Sequence, residues 1–322
     1  MSLRSALIDV AVARPFAGQR VLLTGSSGFL GWQVAAQAVA GAVQLHSLGR
    51  TASSGEATHH HADLTDRAAV ARAVAEAAPQ AVIHCAAPGV AYGSAALSEM
   101  LTVAALGTAN LLDACAALAA PPRVVLLGSG FEYALADQPV AEDWPLVPSG
   151  SHYGAAKAAA AAVAGAYAER LPLALLRPFH IYGAGEAARR LGPFIIAQAR
   201  ADAPVELTAG EQRRDFLHVD DCAAMVWAML AALGDAPGLE ICNLGSGQPI
   251  MLREFIAVLV EELARHSVAA DCRIGALPYR SAEPMVSLPD LARWQAKGLR
   301  APRISLAAGV ADLVRQELAQ CA

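Results

Sequence analysis

Short apolar runs alternate with longer alanine-rich stretches along the chain: Arg20 to Thr24, Val43 to Leu48, Ala81 to Cys85, Val124 to Leu127, Leu173 to Leu176 and Leu239 to Asn243. The runs are continuously apolar rather than alternating, as strands are when helices cover both faces of a sheet. Strand-length and helix-length segments in this alternation predict βαβ units, a parallel sheet and a doubly wound layout. After about residue 178 the alternation weakens. Tyr182 to Phe216 and Cys272 to Ile304 are irregular and rich in Gly, Pro and Arg, and they are expected to build a smaller lobe. Leu217 to Leu233 and Leu239 to Asn243 look like returns to the sheet, so the two parts interleave in sequence.

Composition narrows the class. With 55% hydrophobic and 16% charged residues among 322, the chain has ample material for a core. The net charge of −5 and the scatter of Lys and Arg leave no basic stripe, which argues against a nucleic-acid partner. Apolar stretches such as Ala155 to Ala168 are broken by Lys157, Gly165 and Tyr167, poor material for a membrane span. Met1 to Gly18 lacks a basic start followed by a long apolar block, so no export signal is expected. The cysteines, Cys85, Cys115, Cys222, Cys242, Cys272 and Cys321, are widely spaced without a C-x-x-C pair, which suits buried free thiols and a reducing cytoplasm.

The first strand runs directly into Thr24-Gly25-Ser26-Ser27-Gly28-Phe29-Leu30-Gly31 and then a helix-like segment. A glycine turn between strand and helix lets main-chain N–H groups approach a pyrophosphate at the positive helix N-terminus. This context makes the expected fold a Rossmann-type doubly wound parallel sheet with a smaller C-terminal lobe, to which the resemblance given below assigns substrate binding. Residues 1–180 would bind the dinucleotide, with returns at 217–243, and 181–216 with 244–322 would form the substrate-binding lobe. Gly25, Ser27, Gly28, Phe29, Leu30 and Gly31 are the predicted cofactor contacts. The second strand ends at Gly49-Arg50 without the carboxylate that grips the ribose hydroxyls of NAD. Arg50, with Ser53 and Ser54 behind it, would receive the 2′-phosphate of NADP, so NADP is favoured and NAD remains possible. The alternative is a solvated surface arginine. Asp63, followed by Leu64, either accepts from an adenine amino group or caps the helix starting near Asp66. Ala62-Asp63-Leu64 follows a third strand-like stretch, and Ala86 and Ala87 leave room for the cofactor at the end of the fourth, Ala81 to Cys85.

Gly128-Ser129-Gly130 closes the fifth strand, and Tyr153 and Lys157 stand four residues apart on one helix face. An ammonium near a phenol favours the phenolate, which would let Tyr153 exchange protons near neutrality while hydride moves to or from a nicotinamide. Ser129 would hold the same substrate oxygen. A Y-x-x-x-K pair alone is a common surface feature; the glycine turn and the serine at a strand's carboxyl end give it meaning.

With these residues in view, the chain resembles an extended short-chain dehydrogenase/reductase of the nucleotide-sugar epimerase/dehydratase family. The likeness runs through TGSSGFLG, HADL, VIHCAA, GTANLLDAC, LLGSGFEYA, YGAAK, LRPFHIYGAG, RRDFLHVDD and CNLGSGQP. It implies that Ser129, Tyr153 and Lys157 are the catalytic group, that Pro178, His180 and Ile181 lie against the cofactor near the nicotinamide, and that the smaller lobe takes a nucleotide-linked sugar. His180 replaces the family's usual asparagine. The hexose dehydratases of the family carry Asp-Glu where this chain has Gly130 and Phe131, which disfavours dehydration. Glu132 is one place out of register, and on a strand it would face the other way. A keto-sugar-nucleotide reductase is the favoured activity, an epimerase with tightly held NAD the alternative, and a non-catalytic NAD(P)-binding sensor or scaffold a third.

Arg189, Arg190, Arg213, Arg214 and Arg280 would suit a diphosphate, and the resemblance points to Arg214 and Arg280, with Tyr92 beside them as a substrate contact. Consecutive His59, His60 and His61 would alternate faces on a strand, so no metal is expected. Met225, Trp227 and Met229 fit core packing. Ala95 to Leu118 and Gly150 to Arg170 would pair two copies as a homodimer.

Overall fold

The structure is a computed structural model and describes residues 7, 9, 11–52, 58–87, 96–146, 151–281 and 283–319. Tyr92, Ser53, Ser54, Ala95, Gly150 and Cys321, all named above, lie outside them. The first half runs β1 (Arg20–Thr24), α1 (Phe29–Ala40), β2 (Gln44–Gly49), β3 (Thr58–His61), α2 (Arg67–Ala77), β4 (Ala81–His84), α3 (Leu97–Leu101), a π turn at Thr102–Leu106, α4 (Gly107–Ala116), β5 (Arg123–Leu127), a 3-10 turn at Gly130–Glu132 and α5 (His152–Gly165). Then follow β6 (Pro172–Pro178), β7 (His180–Tyr182), α6 (Leu191–Arg200), β8 (Val205–Leu207), β9 (Arg213–His218), α7 (Val219–Ala232), β10 (Gly238–Leu244), β11 (Pro249–Met251), α8 (Leu252–Arg265), β12 (Cys272–Ile274), β13 (Val286–Ser287), α9 (Ala292–Ala296) and α10 (Leu306–Ala319).

Seven strands form one sheet in the order β10-β6-β5-β4-β1-β2-β3, and every neighbouring pair is parallel. The order reverses between β1 and β4. That is the switch point at which open α/β sheets bind ligands beyond their strand ends. The continuous apolar runs have the expected cause: β4 and all of β6 are buried. One face packs on α1 and α7 through Val34, Ala38, Val226 and Trp227, and the other on α2, α4 and α5 through Val70, Leu111 and Ala164. Asp66 caps α2 by accepting from Ala69 N–H.

Met225, Trp227 and Met229 are all buried in the sheet's covering layer. Within Leu217 to Leu233, Leu217 and His218 end β9, and Val219–Ala232 returns against the large sheet as α7. The smaller lobe has its own core, in which Ile195, Leu259 and Val310 bring together α6, α8 and α10. Its small sheet is organised by β9, which pairs with β7, β11 and β13. Because β7 leaves the large sheet one residue after β6 ends, the chain crosses between the two parts at Phe179, at the carboxyl end of β6.

Candidate active site

The glycine turn after β1 is built by close main-chain approach. Gly25 has φ +71°, and a Cβ there would lie 2.6 Å from Ala86 N, so the ends of β1 and β4 touch with no room for a side chain. A Cβ on Gly31 would run into the Gly25 carbonyl, which fixes how closely α1 meets the turn. Gly28 is the N-cap of α1. The cradle therefore presents a helix N-terminus and main chain that Gly25 and Gly31 leave uncovered, a shape that fits a dinucleotide pyrophosphate. Behind it the neutral ring of His84 bridges Thr24 Oγ1 (2.6 Å) and Thr108 Oγ1 (3.0 Å). Burial and then the Lys157 charge push its pKa down to about 3.

Among the other predicted cofactor contacts, Leu64 is positioned by Asn110 Nδ2, which donates to its carbonyl at 2.8 Å. Asp63 accepts from both the N–H and the hydroxyl of Thr65, at 2.9 and 2.8 Å. These bonds, together with Arg50, hold its carboxyl below the usual range. The cap of α2 falls instead to Asp66. Arg50 is exposed just beyond β2, with its charge reaching Asp63. Ala86 N–H donates to Thr24 Oγ1, and Pro178, His180 and Ile181 lie where β6 passes into β7.

Ser129, Tyr153 and Lys157 meet at the carboxyl end of β5. Lys157 is buried, and its Nζ donates to the Leu127 carbonyl at 2.5 Å. Tyr153 sits in the first turn of α5, capped by Ser151, with the Phe131 ring edge-on at 6.1 Å. The phenol differs from the expectation of an easily formed phenolate. Burial first, then the Glu132 charge, push its pKa up to about 12, while the Ser129 hydrogen bond and the Arg190 guanidinium pull it down. Glu132 is also not on a strand. It lies in the 3-10 turn and is wholly buried; Oε1 accepts the Ser129 N–H and Oε2 pairs with Arg177 Nε, both at 2.7 Å. Sequence reasoning missed this pair, although an arginine inside the apolar strand LALLRP signals a buried carboxylate partner.

A cavity of about 730 Å³ opens beside this edge, between the large sheet and the lobe. Phe131, His180, Arg190, Arg214, Arg280 and Ser287 are among the residues that face it. Arg214 is mostly buried on β9, and its Nη2 donates to the Pro284 carbonyl at 2.5 Å; Arg280 is exposed. Arg190 pairs with Glu186 at 2.9 Å. His180 bonds Ser287 Oγ at 3.0 Å, and burial, then Arg214 and Arg190, lower its pKa to about 3, leaving a neutral ring. The three consecutive histidines lie on β3. Among the described residues one other group, His218, Asp220 and Asp312, brings potential ligand atoms within 4.8 Å of one another. Asp312 is held there by Arg315 and Gln316. Among the described residues no helix is long and apolar enough to cross a membrane.

Comparison with known proteins adds to this geometry. Residues 21–245 match the profile described as NAD dependent epimerase/dehydratase family. The chain is 30% identical to a dTDP-4-dehydrorhamnose reductase of Streptomyces griseus, over 88% of this chain and 90% of that one. It is 28% identical to a UDP-glucuronate 4-epimerase of Thermodesulfobacterium geofontis, over 74% and 79%. Among solved structures, the UDP-glucose 4-epimerase of Thermus thermophilus in complex with NAD superposes with a TM-score of 0.78 at 25% identity, covering 93% of this chain and 99% of that one.

Proposed function

The chain belongs to the NAD-dependent epimerase/dehydratase family, and from that premise we propose that it is a reductase of nucleotide-linked keto-sugars, with Tyr153 as its acid–base group. The observation that carries the reading is the meeting of Ser129, Tyr153 and Lys157 at one strand end, between a glycine cradle in which Gly25 and Gly31 leave no room for a Cβ and an arginine-bearing cavity. A nicotinamide dinucleotide bound in the cradle supplies the hydride. Tyr153 delivers the proton to the substrate oxygen from its phenol, which burial keeps protonated. Ser129 orients that oxygen, and Lys157, held by the Leu127 carbonyl, brings positive charge to the phenol as it gives up its proton. Arg214 and Arg280 receive the diphosphate of the nucleotide.

Gly130 and Phe131 stand where dehydration needs acidic residues, and the exposed Arg50 beyond β2 favours NADP over NAD. The reading includes a cytoplasmic setting and a homodimer paired through the α3–α4 run and α5, where Leu106 is 48% exposed. The test is native mass spectrometry of the purified protein, then NADPH consumption with a panel of nucleotide-linked keto-sugars. A cofactor-free protein that oxidises NADPH is expected, with kcat lowered about 10²- to 10⁴-fold by Tyr153→Phe. Copurified NAD that resists dialysis would instead indicate an epimerase, and unchanged turnover in Tyr153→Phe would remove the catalytic assignment.

A further inference from the structure

The last rung that carries the large sheet past β5 is the Gly128 N–H to the Leu176 carbonyl, at 2.7 Å. One residue later, the N–H of Ser129 points into the interior with no strand to receive it, and Ser129 is 5% exposed. A buried donor in that position needs an acceptor. Glu132 Oε1 is that acceptor, and Ser129 Oγ in turn accepts from Phe131 N–H at 3.2 Å. The turn is thus closed around the catalytic serine by one buried carboxylate.

The other carboxylate oxygen is anchored from far along the chain. Arg177 Nε binds Oε2, while Arg177 Nη1 donates to the Tyr133 hydroxyl (2.9 Å) and the Glu142 carbonyl (3.2 Å). The guanidinium lies 4.7 Å from the Tyr133 ring centroid. Tyr133 donates to Asn243 Oδ1 at 2.7 Å, and the Asn243 N–H donates to Glu142 Oε1 at 2.8 Å. The ends of β5, β6 and β10 are tied into one polar network. A buried ion pair contributes little net stability, because desolvation cancels most of the attraction. A role in placing the Ser129 main chain accounts better for its presence.

We infer that Glu132 is a positioning residue for the Ser129–Tyr153 pair: its carboxylate, anchored by Arg177, fixes the Ser129 main chain and sets the negative charge beneath the phenol. The inference rests on the acid–base reading of Ser129, Tyr153 and Lys157 given above. Tyr153 faces Glu132 and Ser129 from the turn and Arg190 from the start of α6, with the Phe131 ring against it and Lys157 on its own helix. Glu132 faces the Ser129 N–H, Arg177 from β6 and Lys157 from α5. Its charge adds to burial in raising the pKa of Tyr153 and works against the burial that lowers that of Lys157, so it favours a protonated phenol and a charged ammonium.

The experiment is NMR titration of the full chain labelled with ¹³C at the phenolic carbon of tyrosine, with the Tyr153 signal assigned by its loss in Tyr153→Phe. In Glu132→Gln the midpoint of Tyr153 is expected to fall by about one pH unit. Glu132→Asp, which keeps the charge, restores most of that shift. Glu132→Gln leaves Arg177 buried without its partner, so Glu132→Gln/Arg177→Met is measured beside it and is expected to show a fall as well. An unchanged Tyr153 midpoint in a folded variant overturns the inference. So does failure of both variants to fold, because Glu132 is then a folding residue. Turnover of Tyr153→Phe separates the two readings. If that variant works as well as the parent, the acid–base reading fails. If it is inactive while the midpoint stays put in Glu132→Gln, only the role of Glu132 fails.

Discussion

The turns that follow β1 and β5 lie on the same edge of one sheet and handle the same difficulty, main-chain N–H groups that outrun the strand ladder, by opposite means. The β1 turn, Gly25 to Gly31, contains no ionisable residue. Its shape comes from one left-handed glycine and from contacts too close for a Cβ, and on the proposed reading its main chain would face the dinucleotide. The β5 turn folds inward. Glu132 accepts the Ser129 N–H, Arg177 neutralises Glu132, and the polarity is aimed at Tyr153 rather than at a phosphate. On the function proposed above, the binding turn works by leaving no room for a Cβ at Gly25 and Gly31, and the chemical turn works by burying charged side chains.

The hardest way to break the first arrangement is Gly25→Ala. A left-handed φ costs an alanine about 1–2 kcal/mol, and the clash with Ala86 adds about 1–3 kcal/mol of overpacking. Loss of about 100-fold or more in dinucleotide affinity is expected, read by difference spectra with NADPH and NADH. The contrast with the β5 turn fails if the variant binds both as the parent does.

The difference between the turns also explains what the chain revealed when read alone. The glycine run, the Tyr153/Lys157 spacing and the strand-end Ser129 are local patterns, complete within a few residues. The alternation of apolar runs marked six of the seven strands of the large sheet to within two residues at each end, β4 and β6 being buried on both faces as their composition requires, whereas β3, Thr58–His61, is no apolar run. Arg177 inside an apolar strand signals a buried carboxylate, but that the carboxylate is Glu132 was illegible, because it lies 45 residues away beyond a strand whose register with β6 only the fold supplies. The surroundings of the phenol were hidden for a related reason. Charge at spacing i, i+4 is visible in sequence, whereas burial, the largest influence on Tyr153, is not. Asp63 shows the limit from the other side: two uses were open, and the structure gives the carboxylate to Thr65 while Asp66 caps the helix.

On the charged side of the crevice, Arg214→Lys asks whether geometry or charge matters. The guanidinium is held by main-chain carbonyls of Arg213 and Pro284, so its plane is fixed before any ligand arrives. A lysine keeps the charge and loses the fork. Affinity for a nucleoside diphosphate such as UDP or dTDP, measured by calorimetry, is expected to fall about 30-fold, or about 2 kcal/mol. A change within twofold would mean that the cavity senses charge alone.

The mildest perturbation probes the cation near the uncharged turn. Arg50 is exposed, so any contact it makes with a 2′-phosphate is screened by solvent, and its removal is expected to weaken NADPH by only about tenfold. NADH carries no phosphate at that position and should bind Arg50→Ala as it binds the parent. The ratio of the two affinities, taken at two salt concentrations, is the informative number. If the NADPH preference is present, is lost in Arg50→Ala and shrinks with salt in the parent, the glycine end gains its selectivity from one surface charge added to a main-chain site. If the ratio does not move, the β1 turn recognises what both cofactors share, and Arg50 serves only its neighbour Asp63.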